Sequence, residues 1–176
     1  MKVLAISASP RKKGNTIHLL TSLLEHLEGH FESELIYLRD MDIEPCRECY
    51  SCMDKGVCVI DDDMQTLYQK LKESNVLILG SPVFMGGLAS RMRIFMERTW
   101  PLRKGILQNK IGSYVVIGRR DIGSSLNEME GYFSRLKVYK VPGILGFGFH
   151  KNDILEDEEA LKNVKRVAKQ IKKMIK

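Results

Sequence analysis

Val3-Leu4-Ala5-Ile6 runs directly into Ser7-Ala8-Ser9-Pro10-Arg11-Lys12-Lys13-Gly14-Asn15-Thr16, and the reading of this junction decides the fold. Four consecutive apolar residues suit a buried strand. Leu20, Leu23, Leu24 and Leu27 then mark one face of a helix that stops at Gly29. A strand, a loop and a helix form the repeating unit of parallel sheets, because parallel strands need a crossover and read as short apolar runs. The unit recurs along the chain. Strands are predicted at residues 35–38, 76–79, 114–117 and 142–147. The helix faces that follow are marked by Met64, Leu67, Tyr68 and Leu71, by Leu88, Met92 and Phe95, by Leu126, Met129, Phe133 and Leu136, and by a basic C-terminal segment. Five such units predict an α/β fold: a flavodoxin-like, doubly wound, five-stranded parallel sheet of order 2-1-3-4-5 with helices on both faces. In such sheets ligands bind beyond the carboxyl ends of the strands, which directs attention to the loops at 7–16, 80–87 and 118–124.

The chain has 176 residues, 44% of them hydrophobic, so a single domain spanning 1–176 with a sizeable core is expected. The net charge of +6 is concentrated at the C-terminus: residues 161–176 hold seven bases and no acid, and the remaining 21 bases balance 22 acids. No nucleic-acid footprint is present. Acids at 156–159 followed by bases complement a helix dipole on a solvated face, with a docking surface for an acidic partner as the competing reading. No apolar run approaches a membrane span, so no membrane association is expected, and a cytoplasmic location follows.

The first loop lacks both the dinucleotide fingerprint and the nucleoside triphosphatase loop. It retains hydroxyl and amide side chains at Ser9, Asn15 and Thr16, a cationic Arg11, and backbone amides converging on a helix start. That equipment suits one phosphate monoester. Helix capping alone is the alternative. The later loop, Gly80-Ser81-Pro82-Val83-Phe84-Met85-Gly86-Gly87, offers backbone amides and apolar cover to a flat heterocycle. Together the two loops favour FMN over a bare phosphate.

All four cysteines fall in one run, Cys46, Cys49, Cys52 and Cys58, spaced C-x2-C-x2-C-x5-C. Chance clustering this tight has a probability of roughly 0.2%, so the run calls for a ligand. Four thiolates from one loop match the needs of a 4Fe-4S cubane. Zinc prefers two C-x2-C knuckles farther apart, and free or disulfide-bonded thiols are a third possibility. The connection at about 39–61 is long for a compact domain without its own secondary structure, and a cluster would organise it. Arg47 and Lys55 are candidates to offset its negative charge.

These residues resemble the iron-sulfur flavoproteins of anaerobic archaea and bacteria, within the flavodoxin-like NADPH-dependent FMN reductase superfamily. The resemblance rests on Ser7-x-Ser9-Pro10-Arg11 with Gly14-Asn15-Thr16, on the cysteine run, on Cys58-Val59-Ile60-Asp61-Asp62-Asp63-Met64 and on Gly80-Ser81-Pro82-Val83-Phe84. It implies that Ser9, Arg11, Asn15 and Thr16 hold the FMN phosphate. Pro82, Val83, Phe84, Met85 and Gly86 would border the ring, with Gly118 as a third contact, and the four cysteines would ligate one 4Fe-4S cluster. It further implies a homodimer or homotetramer and electron flow from a ferredoxin-like donor through cluster and FMN to a small-molecule acceptor, dioxygen or hydrogen peroxide. Two departures stand out. Phe84 replaces a tyrosine common among relatives, and Gly118-Arg119-Arg120-Asp121 replaces a glycine-rich stretch. Arg119 and Arg120 read equally as a charge near a reduced flavin, a ferredoxin dock or solvated loop residues. The alternatives are an NAD(P)H-dependent FMN or quinone reductase without a cluster, and a metal-stabilised flavin-binding module.

Overall fold

The computed structural model describes residues 1–175. In chain order the elements are β1 (Lys2–Ser7), α1 (Asn15–Leu27), β2 (Glu32–Tyr37), α2 (Ser51–Lys55), α3 (Met64–Glu73), β3 (Val76–Phe84), β4 (Gly87–Leu88), α4 (Ser90–Arg98), β5 (Ile111–Gly118), α5 (Ser125–Leu136), β6 (Tyr139–Lys140), β7 (Ile144–Phe147) and α6 (Glu158–Lys173). The path through the sheet is β2-β1-β3-β5, continued by both β6 and β7 on the far side of β5. All of these pairings are parallel, with Ile6 between Ile36 and Leu79, and Val115 beside Ile144. With the two-residue strands set aside, the predicted 2-1-3-4-5 order stands.

The sheet has seven strands rather than five. β6 is a two-residue addition ahead of β7, and β4 is the return arm of a hairpin from β3. Residues 80–87, expected to be a loop, in fact carry β3 on to Phe84. The chain then reverses at Met85 (φ 50°) and Gly86 (φ 75°), two consecutive left-handed residues suited to a two-residue hairpin. The second strand also lies earlier than expected, because Leu38 already begins a short 3-10 turn.

Alternation sorts each apolar run between two cores. Leu4, Ile6, Leu77 and Leu79 face α3, α4 and α5 through Met64, Leu67, Leu71, Met92, Phe95, Met129 and Phe133. Val3, Ala5, Val76 and Ile78 face α1 and α6 through Leu20, Leu23, Leu27, Val164 and Ile171. Burial on both sides is why the strands read as unbroken hydrophobic runs. At the start of α6 the Asp157 carboxylate accepts the Ala160 N–H at 2.9 Å, and Lys172 and Lys173 close the helix, as the charge pattern predicts.

Phe133 is fully buried, stacked on Tyr114 (6.3 Å between centroids) and edge-on to Tyr132 (5.7 Å). Phe133→Ala is expected to cost about 3–5 kcal/mol. Urea unfolding should show a lowered midpoint with an unchanged m-value.

Candidate functional site

The carboxyl ends of β1, β3, β5 and β7 open onto a cleft of about 320 Å³. Ser9, Arg11, Asn15, Thr16, Pro82, Val83, Phe84 and Gly118 all line it, so eight of the ten predicted flavin residues meet. Met85 and Gly86 do not line it. Met85 is fully exposed at the hairpin tip, and the Gly86 carbonyl accepts the Ser124 N–H at 2.7 Å.

The first loop is tied by its own hydroxyls. Ser7 Oγ accepts the Ser9 N–H at 3.2 Å, and Ser9 Oγ accepts the Arg11 N–H at 3.2 Å. This closes the turn and delivers the chain to α1 at Gly14. Gly14 supplies no side-chain cap, and the N–H groups of Asn15, Thr16 and Ile17 have no acceptor among the described residues. The first turn of α1 contains no acid. Open amides at a helix start without a carboxylate form an anion site. Arg11, exposed and without an ion-pair partner among the described residues, stands beside it.

Asn15 works differently from the expectation. Its Nδ2 donates to His150 O at 2.9 Å, and its Oδ1 accepts the Asn152 N–H at 3.0 Å. Both side-chain atoms hold the loop after β7, which leaves the backbone N–H for a ligand. That loop supplies Gly148 and Phe149, cleft residues missed by the sequence reading. The signal was available, since the carboxyl end of the last strand belongs at the same edge as the others. The Arg119 guanidinium lies 3.9 Å over the Phe149 ring, so one of the two uncertain arginines is part of the wall. Gly118 is needed for close approach: a Cβ there would stand 2.0 Å from Asp121 O.

Glu128 locks the hairpin to the 118–124 loop. It takes Arg93 at 2.7 and 2.9 Å, Ser124 Oγ at 2.7 Å and the Leu88 N–H at 3.3 Å. The Arg93 hydrogen bonds, opposed by burial and aided by Ser124 and Leu88, hold its carboxyl down at about 2.

A second cavity, of about 340 Å³, is lined by all four cysteines together with Arg47, Glu97, Arg98 and Trp100. It shares no lining residue with the first. Left-handed Glu48 (φ 50°) and Tyr50 (φ 58°) turn the chain between cysteines, α2 carries Cys52, and left-handed Gly56 ends that helix and returns the chain to Cys58. Cys46 and Cys49 are exposed, whereas Cys52 and Cys58 are half-buried. The N–H and hydroxyl of Ser51 pull the Cys49 thiol down, while burial pushes the Cys52 thiol up. Among the described residues no three His, Cys, Asp or Glu side chains converge on one point as ligands of a metal ion. The four cysteines instead line one cavity together.

The segment is anchored from behind. Arg98 and Asp62, with side chains 1% and 5% exposed, form a two-pronged ion pair at 2.6 and 3.0 Å. Asp62 also accepts the N–H of Glu44 at 2.9 Å and of Met64 at 3.0 Å. Burial alone would raise its carboxyl, but these donors hold it below the usual carboxylate range. Asp63 accepts the Asp42 N–H, Gln65 donates to the carbonyls of Cys58 and Ile60, and Glu97 accepts the Cys46 N–H at 2.7 Å. Asp62 and Asp63 therefore staple the cysteine segment to the start of α3. Trp100 forms a wall of the cavity, with Arg103 at 4.9 Å over its ring.

The profile of the NADPH-dependent FMN reductase family matches residues 1–151. The chain is 33% identical to an iron-sulfur flavoprotein of Methanocaldococcus jannaschii, covering 100% of this chain and 98% of that protein. It is 28% identical to the iron-sulfur flavoprotein of Methanosarcina thermophila, covering 97% and 93%. Among solved structures, an FMN-dependent NADH-azoreductase of Bacillus anthracis superposes with a TM-score of 0.72 at 16% identity, covering 97% and 99%. A flavodoxin from the Archaea superposes with a TM-score of 0.64 at 16% identity, covering 99% of each chain. These last two establish the fold.

Because the folded-state value of Glu128 lies below the ~4.3 of an unfolded chain, its stabilisation is complete above about pH 5 and fades as the pH falls toward 2. The stability gap between wild type and Glu128→Gln, followed by urea unfolding, should therefore be widest at neutral pH and close in acid.

Proposed function

Since the chain belongs to the iron-sulfur flavoproteins of the NADPH-dependent FMN reductase family, and so is a flavin-dependent oxidoreductase, we propose that it relays electrons from a ferredoxin-like donor through a 4Fe-4S cluster to FMN. A small acceptor, dioxygen or hydrogen peroxide, would take them from the flavin. The observation that carries this reading is the presence of two separate cavities, one ending in open helix amides and the other lined by every cysteine of the chain.

The first cavity fits FMN. Its volume lies within the ~300–1,000 Å³ of small-molecule sites. The N–H groups of Asn15, Thr16 and Ile17, with Arg11, would hold the phosphate. Pro82, Val83 and Phe84 would cover one side of the ring, while Ile117, Gly118, Arg119, Gly148 and Phe149 shape the remaining wall. Ser9 acts indirectly, by fixing the turn that presents Arg11. FMN supplies one- and two-electron chemistry; the chain supplies orientation and charge.

The second cavity fits a cluster by its donor set. Four cysteines lining one cavity suit a polynuclear group better than one ion, which needs its ligands at a single point. Cys46, Cys49, Cys52 and Cys58 would be the ligands. The exposed Phe84, Met85, Phe147 and Phe149 around the flavin cleft offer an apolar surface that a second copy would cover, in line with a homodimer or homotetramer. No helix among the described residues is long and apolar enough to cross a membrane.

A second reading, reduction of FMN by NAD(P)H with structural cysteines, is favoured by the match of residues 1–151 to the NADPH-dependent FMN reductase profile. Anaerobic purification separates the two. The relay requires FMN and ~4 irons per chain, and Cys52→Ser should keep the flavin while abolishing its reduction by reduced ferredoxin. FMN with zinc or no metal, reduced directly by NADPH, would support the second reading instead. Arg11→Ala should weaken FMN binding about 10–100-fold in a fluorescence titration, the effect of losing one charge-assisted contact of ~1.5–3 kcal/mol.

A further inference from the structure

A guanidinium buried beside the cysteine cavity is costly unless every donor is used. Arg98 stands at the end of α4 and has five N–H groups. Nη1 donates to Asp62 Oδ2 at 2.6 Å and to Glu44 O at 2.6 Å. Nη2 donates to Asp62 Oδ1 at 3.0 Å and to Cys58 Sγ at 3.6 Å. Nε is buried and has no acceptor among the described residues. One donor therefore already reaches a candidate ligand sulfur, and another is unspent in a residue that lines the same cavity.

Building on the cluster reading above, we propose that the Arg98 Nη2–H···Sγ bond to Cys58 raises the reduction potential of the cluster, and that Asp62 limits the rise. Reduction adds one electron, and so one unit of negative charge, to a group whose thiolates share that charge. A donor on a ligand sulfur, and a positive charge behind it, stabilise the reduced form more than the oxidised form. The Asp62 carboxylate acts with the opposite sign. Other charged groups lining the cavity are Arg47, which pairs with Glu44, and Glu48 and Glu97. Arg47 and Glu48 are exposed, whereas Arg98 and Asp62 are shielded from water and act through a lower dielectric. If the pair served only to staple the segment, its loss would change iron content and loop stability without giving opposite shifts in potential.

The test is anaerobic redox titration of the purified holoprotein by EPR. Asp62→Asn keeps the guanidinium and removes the opposing charge, and should favour reduction by about tenfold, or ~59 mV upward for one electron. Arg98→Met/Asp62→Asn removes both charges and the N–H···S bond while keeping the volume filled, and should disfavour reduction by about tenfold relative to Asp62→Asn. Equal potentials in the two variants, or a downward shift in Asp62→Asn, overturn the proposal. If the variants lose iron, wild type labelled with nitrogen-15 arginine decides. Pulsed EPR of its reduced cluster should show an arginine nitrogen coupling, and the lack of one overturns the proposal. Wild type without iron defeats the cluster reading itself; full iron content with unmoved potentials defeats only this inference.

Discussion

Every long strand of this sheet runs in the same direction, and that constraint organises the rest of the molecule. Parallel pairing puts all the carboxyl ends at one edge, where the chain must leave the sheet and start a crossover helix. Loops far apart in sequence are thereby forced together. Ser9 and Arg11, Pro82 to Phe84, Gly118 and Arg119, and Gly148 and Phe149 meet around one cleft because they end or follow β1, β3, β5 and β7. The helix that begins there brings unsatisfied amides with it, so the fold generates an anion site as a by-product of its connectivity.

The cysteine segment obeys a different rule. Most residues from 42 to 57 are exposed, and too few side chains are buried there to form a core of their own. Its shape comes from hydrogen bonds to the body. The Arg98–Asp62 pair, Gln65 on the Cys58 and Ile60 carbonyls, and Glu97 on the Cys46 amide are contributed by α3, α4 and the turn before α3. A network so dependent on a few buried polar groups is unforgiving, because each unpaired member would carry its full desolvation cost. The same dependence lets the body of the protein place a charge and a hydrogen bond directly behind the Cys58 sulfur.

Much of the fold was legible in the residues. The apolar runs at 3–6, 76–79 and 114–117 are buried on both faces, so they carry a strong signal, and the helix faces through Leu20, Met92 and Phe133 repeat at the helical interval. The hairpin at Met85 and Gly86 was not legible: Pro82 and the glycines suggest a loop, and only the pairing of Gly80 to Pro82 with β5, and of Val83 and Phe84 with Leu88 and Gly87, makes those residues strand. Gly148 and Phe149 were overlooked because nothing local distinguishes them from an ordinary exit from a strand.

Composition and spacing by themselves determined the parallel α/β class, the hydroxyl- and amide-bearing loop at 7–16 and the clustering of four thiols, since each depends on residue type and interval along the chain. Tertiary structure alone decided which side chains are committed elsewhere and which groups stand behind the Cys58 sulfur. Asn15 is spent on holding residues 150–152, and Asp62 reaches across 36 positions to Arg98. Such pairings are absent from any local pattern, because burial removes water as the competing partner only after the sheet and its helices have closed over them.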